Sequence, residues 1–188
     1  MSKLTRHAPE EGAASSTGPD SESIAVTVGA LIAQLSSSDG GERSTAREGL
    51  VRLGKPAVAP LLAVLAGQRI HNRRWEAAKA LSEIADPVTA PALVATLKDR
   101  RFEIRWLAAE GLIALQGDAL APLLQALKME GESVWLCKGA HHVLTSLSDP
   151  GLRARVAPVV AALEDVEPSL EVPEAADEVL AQLTTAGR

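Results

Sequence analysis

Few residues in this chain of 188 could do unusual chemistry: one cysteine, four histidines and three tryptophans. Cys137 precedes His141 by one helical turn, a spacing that can present two metal ligands on one face. His141 and His142 are neighbours, about 100° apart around a helix, so they cannot share a metal as an i, i+4 pair does. No third His or Cys is near them in sequence, and His71 lies far upstream. An edge or buried histidine is the expectation here, with no metal site. A single cysteine also excludes an internal disulfide framework and a cysteine-only zinc site. The sequence holds no glycine-rich phosphate loop and no nucleophile elbow, and repeat symmetry places no carboxylate pair in a common groove. No catalytic residue and no cofactor are expected. That leaves the tryptophans, whose value depends on the elements that carry them.

Those elements repeat. Ala59-Pro60-Leu61-Leu62 recurs as Ala90-Pro91-Ala92-Leu93 and Ala121-Pro122-Leu123-Leu124, with the prolines spaced by 31. Ala157-Pro158-Val159-Val160 reads as a fourth copy after an insertion. Arg74-Trp75-Glu76-Ala77-Ala78-Lys79-Ala80-Leu81 matches Arg105-Trp106-Leu107-Ala108-Ala109-Glu110-Gly111-Leu112 at the same period, and Arg43 to Leu50 is a weaker copy. Two landmarks in step imply stacked units that bury a core only together. Each unit reads as two helices, the first opening near Pro56, Pro87 or Pro150 and the second ending at Gly or Asp. The pattern predicts helices at 24–37, 41–53, 57–67, 72–85, 88–98, 102–115, 119–129, 134–147, 151–164 and 174–184. No stretch alternates with period two, so no sheet is expected. The fold class is all-α, an α-solenoid (alpha-alpha superhelix) of about five antiparallel helix pairs. Aromatics make up 2% of the chain, so Ala, Leu, Val and Ile must build its core.

The segments Ile104-Arg105-x-x-Ala108-Ala109-x-Gly111-Leu112 and Arg73-Arg74-x-x-Ala77-Ala78-x-Ala80-Leu81 resemble the second helix of the HEAT-repeat family. The short variety first associated with phycobilisome lyases is the most similar. The resemblance implies an arginine of the second helix paired with a turn aspartate; Asp99 with Arg105 and Asp39 with Arg43 are the candidates. It also implies that second helices line a concave wall. Gly67-Gln68 and Leu136-Cys137 depart from the pattern. The His-Glu dipeptides of HEAT-repeat deoxyhypusine hydroxylases are absent.

On a helical wheel Ile104, Ala108, Gly111, Leu112 and Leu115 form the core stripe of helix 102–115, with Trp106, Glu110 and Ile113 opposite. The repeat carries this to Trp75, Lys79 and Ser82, and to Ser44, Arg47, Glu48 and Val51. In helix 134–147 the core stripe is Leu136, Ala140, Val143, Leu144 and Leu147, which puts Lys138, His142 and Thr145 on the wall. Trp75, Lys79, Trp106, Glu110, Ile113, Lys138 and His142 are therefore the candidate partner-binding residues. Trp75 and Trp106 are expected to form one patch across adjacent helices. Trp135, near a helix start, reads as a packing anchor. Arg69, Arg73, Arg74, Arg100 and Arg101 cluster in the inter-helix turns as a possible basic edge.

Charge is uneven. Residues 40–116 hold twelve Lys/Arg against eight Asp/Glu, while the whole chain carries a net charge of −5. This argues against nucleic acid as partner, though not against an acidic protein. Residues 149–188, with eight acidic and three basic side chains, suit a polar cap. The expected organisation is a leader over 1–23, too polar to order, a HEAT-like domain over 24–184 and a tail over 185–188. The opening residues lack the apolar core of a secretory signal and the longest apolar run is proline-broken, so a cytoplasmic, non-membrane protein is expected. The function expected is a non-enzymatic scaffold binding another protein along the concave wall. Alternatives are a bilin lyase-like accessory subunit, a HEAT-like alkylpurine glycosylase trapping nucleotides with Trp75, Trp106 and Lys79, or self-association through the Trp surface.

Overall fold

The computed structural model describes residues 21–67 and 71–186. Most of the expected leader and the last two residues lie outside the described residues, as does Arg69. Ten α-helices and no strand are present among the described residues. They are α1 (Ser21–Gln34), α2 (Gly40–Leu53), α3 (Lys55–Ala66), α4 (His71–Ile84), α5 (Ala90–Thr96), α6 (Phe102–Leu115), α7 (Leu120–Glu130), α8 (Val134–Thr145), α9 (Pro150–Glu164) and α10 (Pro168–Ala186).

The helix junctions explain the period. Three second helices, α2, α4 and α6, end on a residue in the left-handed half of backbone space: Gly54 at φ 66°, Ala85 at φ 49° and Gln116 at φ 49°. The three are spaced by 31 residues, so one sharp reversal is repeated at the end of α2, α4 and α6. Short 3-10 turns, Pro87–Thr89 and Gln116–Ala119, then lead into α5 and α7. Pro91 consequently sits in the first turn of its helix, where its missing N–H is not needed.

Two rows of helices result. Helices α2, α4, α6 and α8 pack side by side as one wall, while α1 packs on α3 and α5 on α7 in the other row. The core between them is almost entirely aliphatic; Leu50, Leu61, Leu81, Leu93, Ile104, Leu112, Leu123 and Leu124 are all fully buried. Each such side chain contributes roughly 1.5–3 kcal/mol on burial. The stripes expected in α6 and α8 face this core: Ile104, Ala108, Leu112, Leu136, Ala140, Val143 and Leu144 are all inaccessible. Gly111 matters for spacing, since a Cβ there would lie 2.9 Å from Leu93 and 3.4 Å from the Ser82 backbone. Its absence lets α6 settle against α4.

The last pair departs from the expected register. Helix α9 packs on α8, in the second-helix row, and α10 packs on α7, in the first-helix row. Both run back along their neighbours: Glu164 at the end of α9 meets His141, and Asp177 of α10 bonds Lys128. The order within the fifth pair is thus reversed. The Ala157-Pro158 match is not a fourth first-helix landmark, because the helix that carries it, α9, packs on α8 while α10 packs on the first-helix α7. Helix α10 also begins before Pro173, not after it, and runs on to Ala186, two residues into the expected tail.

The start of α9 confirms its kinship with the second helices. Asp149 Oδ1 accepts from the N–H groups of Gly151 and Leu152 at 2.6 and 3.2 Å, and Arg153 Nη1 donates to the carbonyls of Leu147 and Ser148 at 2.7 and 3.2 Å. At α2, Asp39 caps Gly41 and Glu42 at 2.6 and 3.1 Å, and Arg43 Nη1 reaches Ser37 and Ser38 at 2.9 and 3.2 Å. Arg105 Nη1 likewise donates to the Asp99 carbonyl at 2.8 Å. The expected Asp–Arg ion pairs within one turn do not form. The aspartates satisfy helix N–H groups and the arginines tie down turn carbonyls. Cys137 occupies the arginine's place in α8, its thiol donating to the Gly131 carbonyl, again six residues back, at 3.1 Å.

Arg47 is another departure. It lies buried rather than on the wall, its Nη1 2.8 Å from Glu76 Oε2, while Arg43 Nε approaches Glu76 Oε1 at 3.5 Å. This ion pair joins α2 to α4 through the core edge.

Candidate functional site

Helix α6 carries Trp106 on the side opposite Ile104, and the side chain is 47% exposed. Phe102, one turn earlier and 63% exposed, lies with its ring centroid 6.2 Å from that of Trp106. Residues i and i+4 share a helix face, so these two rings are neighbours by geometry alone. From α8, His142 stacks on Trp106, centroids 4.8 Å apart and planes 26° from parallel. Its Nε2 stands 3.5 Å from Glu110 Oε1, which orients the imidazole.

Trp135, in the first turn of α8, is 48% exposed, so it is not the buried anchor its position suggested. The Arg105 guanidinium lies over its ring, 3.8 Å from the centroid, and 5.8 Å from that of Phe102. Lys138 Nζ reaches the same Trp135 ring at 5.8 Å. Contacts of this kind contribute roughly 0.5–2 kcal/mol each and hold cations against apolar surface.

These residues enclose a groove of about 440 Å³ between α6 and α8, lined by Phe102, Arg105, Trp106, Trp135, Lys138 and His142 over a floor of Leu97, Ala109 and Gly139. The floor depends on Gly139: a Cβ there would lie 2.9 Å from a Leu97 methyl. With glycine, α8 descends onto the end of the α5 segment.

Of the residues expected on the wall, Trp106, Lys138 and His142 meet in this groove. Glu110 borders it through His142. Ile113 is half-buried against the core. Trp75 is also half-buried against the core, with Lys79 Nζ 5.1 Å over its ring. No aromatic contact joins Trp75 to Trp106 among the described residues, so the expected two-tryptophan patch does not form. The trio of Trp75, Trp106 and Lys79 that suggested a nucleotide trap is likewise divided. Phe102 and Arg105 were missed as groove residues.

The basic edge is also uneven. Arg74 is a strut: its Nε donates to the Leu65 carbonyl at 2.8 Å and its Nη2 to Asp99 Oδ2 at 2.5 Å. Arg73 is half-buried, with its Nε enclosed and without a hydrogen-bond partner among the described residues. Arg100 and Arg101 are exposed. Burial raises the Asp99 carboxyl, but hydrogen bonds from Arg74 and the Arg101 N–H, with the charges of Arg74 and Arg100, outweigh it and hold its pKa below the usual value.

A second groove of about 550 Å³ lies where α8 meets the end of α9 and the start of α10, and Cys137, Lys138, His141 and Glu164 are among its lining. His141 Nε2 bonds Glu164 Oε1 at 2.8 Å. Burial pushes the Cys137 thiol pKa up, and the negative charge of Glu132 adds to it. Among the described residues no three His, Cys, Asp or Glu side chains gather closely enough to hold a metal ion.

Phe102–Glu130 is apolar and long enough by length and composition to cross a membrane, yet half of its most apolar window is buried in the core. The positive φ of Gln116 breaks it into α6 and α7.

Stacked antiparallel helix pairs with a continuous aliphatic core define the chain as an α-solenoid. Residues 28–113, a little under half of the chain, match the family described as HEAT repeats, and the match supports a HEAT-repeat protein. By geometry the stacking continues beyond the matched span, through α7 and α8. No curated protein is similar enough to the chain to count as a match. HEAT repeats in general mediate protein–protein interaction and are typically non-catalytic.

Proposed function

We propose that this protein is a non-enzymatic adaptor and that the α6–α8 groove is where it holds a segment of another protein. The observation that carries this reading is the gathering of Phe102, Trp106 and Trp135 around one groove, each ring about half or more exposed. Leaving three rings partly in water around one groove is a cost that a partner would reverse. Covering one such ring returns roughly 1.5–3 kcal/mol, and hot spots of binding are rich in Trp and Arg. The groove is rigid, because it is built on two helices and floored by Leu97, which suits a preformed docking site.

The test is affinity capture from the native host's lysate with the wild-type chain and the Trp106→Ala/Trp135→Ala double variant. Both residues are exposed, so the variant is expected to keep its helical circular dichroism. Prey recovered by the wild type and lost by the variant supports the groove; equal recovery by both rejects it.

A further inference from the structure

The geometry points to an acidic peptide as the occupant of the α6–α8 groove, with Arg105 as the group that reads its carboxylate, an inference that rests on the docking role proposed above. Two basic side chains, Arg105 and Lys138, line the groove, and among the described residues no carboxylate does. Neither cation lies within ion-pair distance of an acid among the described residues. Arg105 spends only its Nη1 on the protein, on the Asp99 carbonyl; Nε and Nη2 have no hydrogen-bond acceptor among the described residues. Because the guanidinium lies against Trp135, its flat face is occupied while its edge stays open. A stacked guanidinium with free in-plane donors is a preorganised fork for a carboxylate. Lys138 shares the Trp135 ring and places a second positive charge beside the first.

Three nearby acids are already engaged. Glu110 is held by His142, Asp99 by Arg74, and Glu164 by His141 across α8. Exposed Arg100 and Arg101 extend the positive field beyond the groove mouth. Trp106 and the Leu97 floor supply an apolar seat beside the fork, so the fitting sequence has Asp or Glu next to an aliphatic or aromatic residue. A nucleic acid fits less well. Its phosphate chain would continue past the groove toward Glu103, Glu132 and the acidic α9–α10 pair, in a chain of net charge −5.

The test is to pan a display library of random short peptides against the immobilised full-length chain. Binding of the enriched peptides is then measured through tryptophan fluorescence. Enriched peptides are expected to carry an acid beside a large apolar residue. Arg105→Lys keeps the charge but removes the fork, and is expected to weaken them at least about tenfold. Lys138→Glu, on an exposed side chain, is expected to weaken the acidic peptides and to favour versions in which the acid is replaced by Lys. If Trp106→Ala abolishes binding but the enriched peptides are neutral or basic, or ignore both charge variants, the acidic preference is wrong and the docking groove stands. If the enriched peptides bind Trp106→Ala/Trp135→Ala unchanged, both fail. Tighter binding of a labelled single-stranded oligonucleotide than of any acidic peptide also overturns the inference.

Discussion

Replacing Ala85 with glycine is expected to make the protein more stable, although glycine ordinarily weakens helical proteins. Gly54, Ala85 and Gln116 close equivalent helices with φ of 66°, 49° and 49°. At Gly54 and Gln116 ψ is −126° and −121°, a combination in which a Cβ crowds the backbone. Holding a non-glycine residue in such a conformation costs about 1–3 kcal/mol. Ala85→Gly removes that strain, loses roughly 0.4–1 kcal/mol to the freer unfolded chain, and gives up part of a half-buried methyl group. The net gain is about 0.5–1 kcal/mol, or about 1–4 °C in Tm for a chain of this size. Gly54→Ala is the mirror experiment. A Cβ at Gly54 would meet nothing within 4 Å, so its penalty is backbone strain alone and the variant is expected to lose about 1–2 kcal/mol. Gln116→Gly should gain little, because Gln116 Nε2 bonds the Ile113 carbonyl at 2.6 Å and its Oε1 accepts from Ser148 N–H and Oγ at 3.0 and 2.9 Å. Chemical denaturation followed by far-UV circular dichroism measures all three. An Ala85→Gly midpoint below wild type, together with a neutral Gly54→Ala, would refute the idea that these junctions store strain.

Glu76→Ala is expected to destabilise by about 1.5–3 kcal/mol, since it removes the hydrogen-bonded partner of Arg47 and the carboxylate beside Arg43, while Glu83 and Glu48 remain 3.7 and 3.9 Å from Arg47; denaturation midpoints for Glu76→Ala and Glu76→Gln will show it. Because the Asp99 pKa is depressed in the fold, its pairing with Arg74 stabilises fully above the ordinary aspartate value of about 3.9 and is lost as pH falls through the lower folded-state value. Asp99→Asn should therefore cost about 2–3 kcal/mol near neutrality, and the gap from wild type should close in acid when stability is titrated against pH. Cys137, with its thiol pKa raised by burial, is expected to react with a thiol reagent at about pH 8 more slowly in the native chain than after unfolding; equal rates would contradict the burial.

The stacking was legible because it is written in spacing. Period and wheel placed the buried faces of α6 and α8, and the helical pattern needed no tertiary information. What the wheel lacks is the neighbour. It put Trp75 and Trp106 at equal angles on successive helices, but each ring leans where its own turn allows: Trp75 onto the core edge under Lys79, Trp106 toward α8. Phe102 could have been found from its i, i+4 relation to Trp106. Trp135 was misjudged because a helix start can lie on an open edge as well as on a packed one. Arg105 was read as a repeat landmark and a partner for Asp99, and only the fold shows that its guanidinium reaches Trp135 on the next helix. The reversed final pair was hidden by the chance Ala157-Pro158 match, whereas Asp149 and Arg153, spaced as Asp39 and Arg43 are, carried the true signal.

That reversal gives the array a direction. Units between α1 and α8 meet their neighbours head to head and tail to tail in the same sense, so an engineered duplicate could be spliced among them without changing the rule of assembly. A duplicate joined after α10 would find the rows exchanged and the helices antiparallel to the ones it must follow. Lengthening this protein by design is therefore a matter of internal insertion, with the α9–α10 pair carried along unchanged as the terminator.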